Sequence, residues 1–220
     1  TVDASTYNFG QRPFAHTPPA GYKALCTDNL PNPLVDPRKN FSVNLWSGVA
    51  GDQLTGFEPN LVWIKSRDEG GMSHQLIDSV RGATKSISSN STADEQTQAN
   101  GLMSFNSDGF TAGAETGYMS PSMVSWNFKA GGPAVTNNEG NIPTQVSANK
   151  DMGFSIVKWN MSMQALKTIG HGLGKIPDLI ITKKINGTQN WEVHSTPTGN
   201  DDGLVLNDAG TAVFQPTWGS

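Results

Sequence analysis

Residues 57–65 read F-E-P-N-L-V-W-I-K, and residues 175–183 read K-I-P-D-L-I-I-T-K. Each stretch has a proline, one polar residue, an apolar run with β-branched members, and then a lysine. Pro59 matches Pro177, Leu61 matches Leu179, Val62 matches Ile180 and Lys65 matches Lys183. A short apolar run of this kind reads as a strand buried on one or both faces. Proline has no N–H to give to an interior ladder, so it suits the entry to the strand. Two such runs in one chain predict a duplicated structural unit.

The flanks extend the match. Upstream, Phe41-Ser42-Val43-Asn44-Leu45-Trp46 resembles Phe154-Ser155-Ile156-Val157-Lys158-Trp159. Downstream, Ser73-His74-Gln75-Leu76-Ile77-Asp78 pairs weakly with Asn190-Trp191-Glu192-Val193-His194-Ser195. Gly101-Leu102-Met103 with Asn106 and Gly109 is matched to Gly203-Leu204-Val205 with Asn207 and Gly210. The offset is 113 at Phe41/Phe154, 118 at Pro59/Pro177 and 101 at Gly109/Gly210. Fixed strands joined by loops of varying length produce this drift. A period near 110 means two tandem modules, because solenoid and propeller repeats recur every 20–50 residues.

Composition agrees with a β protein. Charged residues are 15% of the 220, and polarity comes from hydroxyl and amide side chains and from 24 Gly. With 13 Pro as well, turns interrupt the chain every few residues, which favours many short strands over a helical bundle. Apolar residues cluster into runs and six are Trp, so the chain is not disordered. A net charge of −4 gives no basic footprint for nucleic acid and no polybasic membrane patch. No apolar run reaches the length of a membrane-spanning helix, and no signal peptide is visible. The first residue is not Met, so a processed chain or a piece of a longer polypeptide is expected. The single cysteine, Cys26, excludes an intrachain disulfide framework and a multi-cysteine zinc site, and reads as a small buried hydrophobe.

The organisation follows. Residues 1–34, with prolines at 13, 18, 19, 31 and 33, read as the tail of a preceding domain and a linker. Residues 35–132 form the first module, 133–152 a linker or small hairpin, and 153–220 the second module. Strands are expected near 41–46, 60–66, 73–80, 101–105 and 123–129. Residues 86–100 are polar and read either as a short helix capped by Ser91 or Thr92, or as a solvated loop. Nothing after residue 214 matches the closing strand at 123–128, so the second module is incomplete. An open strand edge is expected near 214–220, to be covered by further chain or by another chain.

Chemistry-bearing patterns are weak. His74 and Asp78, beside Ser73 and Ser79, invite a hydrolase reading. On a strand, residues four apart are separated by roughly 13 Å, whereas a triad needs hydrogen-bond contact. No G-x-S-x-G elbow is present. Gly170-His171-Gly172-Leu173-Gly174 reads as a turn, since no lysine stands at Walker spacing. Asp201-Asp202-Gly203 lacks the carboxylate spacing of a calcium loop. Asp94 and Glu95 are adjacent and read as solvated, not as a pair for glycoside hydrolysis. No catalytic, metal or cofactor-binding residue is therefore assigned, and no cofactor is expected. Trp46, Trp159, Trp63 and Trp126 lie on strand-like runs and read as core. Trp191 and Trp218 do not recur as Trp, and they are the candidates for an exposed ring that contacts a surface or a glycan.

Residues 8–31, N-F-G-Q-R-P-F-A-H-T-P-P-A-G-Y-K-A-L-C-T-D-N-L-P, resemble a signature of phage virion proteins. In those proteins the signature closes a SPRY-like, concanavalin-like β-sandwich within long modular tail or fibre proteins of marine and environmental phages. L-V-W-I-K-S-R-D (61–68), D-S-V-R-G-A-T-K (78–85), S-S-N-S-T-A (88–93), F-N-S-D-G-F-T (105–111) and W-N-F-K-A-G-G (126–132) resemble the β module that follows. Q-V-S-A-N (145–149), G-F-S-I-V (153–157) and G-H-G-L-G (170–174) resemble the opening of the next. The resemblance implies two tandem antiparallel β-sandwich modules of jelly-roll or concanavalin-like type, preceded by the end of another β domain. It brings no catalytic residues.

The resemblance also implies a non-enzymatic structural component of a phage virion, in a tail fibre or appendage, serving assembly and host-surface attachment. Such a chain is assembled in the host cytoplasm and resides in the extracellular particle. Expected partners are other virion proteins and copies of itself, often three-fold in fibres, with a host-surface glycan or receptor; nucleic acid and membrane insertion are not expected. The alternatives are a carbohydrate-binding, lectin-like module using Trp191 or Trp218, and a capsid decoration protein. A glycan depolymerase would need two carboxylates about 5–9 Å apart in a cleft, and no convincing pair stands out.

Overall fold

The computed structural model describes residues 14, 16–23, 35–115, 117–160, 167–199, 202–208 and 213–214. Two compact units are present, Thr1–Leu34 and Val35–Ser220. In the first, the described residues include a turn in which the Tyr22 N–H donates to the Pro19 carbonyl at 3.0 Å. Cys26 and the strand-like run at 7–10 lie outside the described residues.

The second unit is all-β and antiparallel. Its strands are β1 (Phe41–Trp46), β2 (Gly51–Leu54), β3 (Leu61–Ser66), β4 (Gln75–Asp78), β5 (Lys85–Ser88), β6 (Gln96–Thr97), β7 (Leu102–Asn106), β8 (Gly109–Ala112) and β9 (Met123–Phe128). They are followed by β10 (Val135–Asn137), β11 (Thr144–Asn149), β12 (Phe154–Trp159), β13 (Leu179–Thr182), β14 (Glu192–Ser195), β15 (Asp202–Val205) and β16 (Val213–Phe214). A six-stranded sheet of order β1-β9-β3-β4-β5-β6 faces a three-stranded sheet of order β2-β8-β7. Val62, Ile64, Ile77 and Met123 from the first meet Leu102, Phe110 and Ala112 from the second, with Tyr118 between them. Alternation explains the facing: Val62, Ile64 and Ser66 of β3 point inward while Leu61, Trp63 and Lys65 point out. Trp46 packs on the core, edge-on to Phe110 at 6.0 Å, whereas Trp63 and Trp126, expected in the core, stand half-buried on the outer face of the sheet, edge-on to each other at 6.0 Å, because alternation gives the inward positions to Val62, Ile64 and Met123. The chain passes from β7 to β8 at Gly109, where a Cβ would lie 2.0 Å from the Gln53 carbonyl, so only glycine lets β2 and β8 close up.

The duplication is present, with a register that sequence matching did not supply. Leu61 faces Asp78 and Ile64 faces Gln75; Leu179 faces Ser195 and Thr182 faces Glu192. Gln75 faces Ser88 as Glu192 faces Val205, and Ser86 faces Gln96 as Gly203 faces Val213. Gln75 and Glu192, Ser88 and Val205, and Gln96 and Val213 each stand 117 apart. The sheet β13-β14-β15-β16 thus repeats β3-β4-β5-β6 pair for pair. Turn bonds recur as well. Ser79 N–H donates to Asn60 O at 2.8 Å, and Thr196 N–H to Asp178 O at 2.9 Å. Asn90 Oδ1 accepts from the His74 N–H at 2.9 Å, and Asn207 Oδ1 from the Trp191 N–H at 2.7 Å. Gly82 and Gly199, in equivalent turns, both have positive φ, +107° and +79°.

Two expectations change. The stretch 86–100 is neither a capped helix nor a plain loop, because it carries β5 and β6. The segment at 203–205 corresponds to β5, not to β7 at 101–103, because the glycine-leucine match there was out of register with the ladder. The edge expected near 214–220 falls at β16, the last strand of its sheet, with residues 215–220 outside the described residues, and among the described residues β13 has a second bare side. The outer strand β16 corresponds to β6, which is itself an outer strand, whereas the equivalent of β13 is β3, which has β9 on its second side.

A candidate assembly surface on the second copy

In the first copy β9 lies between β1 and β3 and pairs along all six residues of each. The second copy has counterparts of β1 and β3, in β12 and β13, and among the described residues no counterpart of β9. β12 carries the F-S-β-x-x-W pattern of β1 but pairs with β11, and β13 pairs with β14 alone among the described residues. Four backbone positions on the free side of β13 therefore lack the neighbour that β3 has.

The side chains beside this edge are apolar. Ile181, Val193 and Leu204 are directly opposite one another across β13, β14 and β15, so they share one face, with Leu179 and Leu206 two residues along. Leu179 is 58% exposed and Ile181 42%, and Ile176 just before the strand is 92% exposed. In the first copy the positions equivalent to Ile181 and Leu204 are Trp63, which packs on Trp126, and Ile87, which is buried. Leu179, Ile181, Leu204 and Leu206 are thus exposed apolar side chains around the buried Val193, beside a strand edge that is unpaired among the described residues, a surface suited to protein association.

The second copy is seated on the first through the loop 88–95. Trp191 Nε1 donates to Ser88 O at 2.9 Å, Gln189 N–H to Thr92 O at 3.0 Å and Glu95 N–H to Ile185 O at 2.9 Å. Lys183 Nζ donates to Thr92 O at 3.1 Å. Burial lowers the Lys183 pKa, and Lys184 adds to this while Asp94 opposes it. Farther back, Phe154 stacks on Phe128 at 5.4 Å and Asn149 Nδ2 donates to Asn40 Oδ1 at 2.9 Å. These contacts hold β12 and β13 at their places.

Trp191 is thereby corrected. It is only 5% exposed, and its indole N–H is spent on a backbone carbonyl, so its ring is a wedge between the copies and offers no stacking face. Trp218 lies outside the described residues. His74 precedes β4, with its pKa lowered by burial first and by Lys65 second. The Asp78 carboxylate goes elsewhere: it accepts from the Val80 and Arg81 N–H groups and from Arg81 Nε. Glu95, read as solvated, accepts from Arg81 Nη1 at 3.3 Å. Asp52, Asn106, Thr111 and Ser104 form a small ring of hydrogen bonds that ties β2 to β7 and β8. Among the described residues no group of three or more His, Cys, Asp or Glu is placed to hold a metal ion. Sequence reasoning passed over the row at 179, 181, 204 and 206; its signal was the drop from Trp63 to Ile181 at a matched position.

The family described as "Domain of unknown function (DUF7483)" matches residues 36–219. The chain belongs to the DUF7483 family. The DUF7483 match begins ahead of β1 and runs beyond β16, so it takes in both copies and the contacts between them. No curated protein and no solved structure matches the chain.

Proposed function

We propose that this DUF7483 chain is a non-enzymatic structural component of a phage virion, an element of a tail fibre or appendage that serves assembly and host-surface attachment. The observation that carries the assembly part is the edge of β13, unpaired among the described residues, beside the exposed side chains of Leu179, Ile181, Leu204 and Leu206. A register-true duplication supports it, because tandem β modules are a means of building length and of presenting several weak contacts at once. The virion part rests on the resemblance of residues 8–31 and the module motifs to phage virion proteins. Placement as a capsid decoration protein is the alternative within the same reading. The lectin-like reading has lost the ring of Trp191.

The test is cryo-electron microscopy of phage particles that encode the chain, paired with mass spectrometry of purified particles. The expected result is density for the tandem sandwiches in a fibre or appendage, with β13 paired to a further strand. Absence of the chain from washed particles overturns the virion reading. Presence with the β13 edge bare to solvent overturns the assembly role.

A further inference from the structure

We propose that Asn186-Gly187, in the loop between β13 and β14, is a self-modification site. It rearranges through a succinimide to isoaspartate, and the change releases the second copy from its seat on the first. The inference is independent of the assembly reading above.

Asn-Gly occurs twice in the chain, at 100–101 and at 186–187. The chemistry needs only water and hydroxide. Hydroxide takes the glycine N–H proton, and the nitrogen attacks the asparagine Cγ. An N–Cγ bond forms, the Cγ–Nδ2 bond breaks, and the amide leaves as ammonia with a proton from water, which restores the hydroxide. Water then opens the five-membered ring at either carbonyl, giving aspartate or isoaspartate. Glycine permits the attack because it has no Cβ in the way. The structure separates the two sites. Gly101 is buried, and its N–H is held by Gln98 O at 2.9 Å. Asn100 O accepts from the Glu115 N–H at 2.9 Å and Gly101 O from the Gly113 N–H at 2.7 Å. The Tyr118 ring closes the space, since a Cβ at Gly101 would lie 3.1 Å from it. Asn186 stands exposed on a bend. Among the described residues no hydrogen bond occupies its side chain or the Gly187 N–H. Lys184 lies against Gly187, where a Cβ would be 3.0 Å from its Nζ. A cation there favours the amide anion that forms when the N–H proton leaves.

The site lies between two anchors of the docking loop. Ile185 O accepts from the Glu95 N–H at 2.9 Å, and the Gln189 N–H donates to Thr92 O at 3.0 Å. Isoaspartate carries the main chain through Cβ and Cγ, which adds a backbone atom between these anchors, so the two bonds no longer fit together. It also adds a carboxylate to a loop seated against Asp94 and Glu95. The matching loop of the first copy, residues 66–74, already carries Asp68 and Glu69. A module of this fold thus tolerates carboxylates in that loop, and what the amide of Asn186 preserves in the second copy is the seat. The bond from Trp191 Nε1 to Ser88 O, at the end of the same loop, loosens with it.

The test incubates the unmodified full chain at mildly alkaline pH and follows both sites by peptide mass spectrometry with electron-transfer fragmentation, which tells isoaspartate from aspartate. Asn186 should convert about tenfold or more faster than Asn100, because the hydrogen bonds around Gly101 must open before its nitrogen can attack. In urea the two should convert alike, which assigns the difference to the fold. Equal rates in the folded chain, or no conversion at Asn186, overturn the site. Lys184→Gln should slow conversion at Asn186 and leave Asn100 unchanged; an unchanged rate at Asn186 overturns the part given to Lys184. Release is read by hydrogen exchange. The Glu95 and Gln189 amides should quicken in step with the isoaspartate formed, and should not quicken in an equally incubated Asn186→Gln chain, whose longer side chain closes the ring far more slowly. Unchanged exchange in the converted chain overturns the release.

Discussion

Asp78 and Arg81 supply the sharpest test of the duplication, because the second copy has already replaced them. Both side chains are 7% exposed. Arg81 donates through Nε to Asp78, through Nη2 to Leu76 O at 2.8 Å and through Nη1 to Glu95. At the equivalent positions, 117 residues on, stand Ser195 and Thr198. Thr198 Oγ1 donates to Ser195 O at 2.9 Å, and the two hydroxyls are 3.2 Å apart. One backbone turn therefore accepts either an ion pair or a hydroxyl pair. Removing one partner of a buried ion pair leaves an uncompensated charge and costs about 3–5 kcal/mol. Asp78→Ser and Arg81→Thr alone should each fall in that range. The double variant loses the charge problem along with the pair. It forfeits chiefly the bond to Leu76 O, about 1 kcal/mol, since Glu95 is part-exposed and can turn to water. The double variant should thus be more stable than either single one, with a coupling energy of about 2 kcal/mol or more. Urea denaturation measures all four chains, with the m-value unchanged if the fold is kept. Additive losses, near 6 kcal/mol or more in the double, would refute the equivalence of the two turns.

The remaining predictions concern the recurrent caps, the wedge and one buried phenol. Asn90→Ala and Asn207→Ala each remove the acceptor for a backbone N–H, and each should cost about 0.5–1.5 kcal/mol in thermal or urea unfolding. A loss at only one of the two would deny them a common role. Trp191→Ala should cost about 3–5 kcal/mol, and hydrogen exchange at the Gln189 and Glu95 amides should quicken before that of β3 and β9. Burial pushes the Tyr118 pKa up to about 12. A raised folded pKa means that stability is intact below the unfolded value near 10 and falls as pH climbs towards 12, by up to about 1.4 kcal/mol per pH unit. Ultraviolet titration should find one of the three tyrosines ionising late, together with unfolding.

What the sequence disclosed follows the physics of each strand. β9 alternates apolar with polar residues, β3 is a short apolar run behind a proline and β12 repeats the pattern of β1, and their positions were legible from those signals. β5 was not, because Lys85-Ser86-Ile87-Ser88 has a single aliphatic residue and hides its burial in serines. Ser86 is 1% exposed and is satisfied by Gln75 Oε1, a bond between side chains on neighbouring strands that no periodicity announces. The capping signal at Ser91 and Thr92 failed for a related reason. Asn90, just before them, turns its amide to the His74 N–H across the sheet, which binds the stretch to β4 instead of starting a helix. Trp191 was taken for a surface ring because it does not recur as Trp. Its equivalent is His74, and the larger ring is needed only where the second copy must dock on the first.

The ends of the sheets argue that β13 is meant to be covered. Strand edges are dangerous in proportion to their length, their flatness and their apolar content, and natural sheets shorten or polarise them. The edge at β6 is two residues, Gln96 and Thr97, both exposed and polar, with Lys85 Nζ donating to Thr97 Oγ1 at 2.7 Å. It is too short and too polar to template a neighbour. Among the described residues β13 has no such protection. It is four residues of which three are Leu or Ile, its proline stands before the strand instead of within it, and its lysines, Lys183 and Lys184, come after it. Lys183 turns back to Thr92 O and not outward to guard the edge. Had the second copy been selected to end in solvent, substitution of Leu179 or Ile181 by a charged residue would have been the cheapest change available. The aliphatic residues that remain stand at the positions where the first copy uses Leu61 and Trp63 to receive β9, so Ile181→Lys should abolish association while leaving the first copy's unfolding transition in place. Association that survives Ile181→Lys would move the interface away from β13.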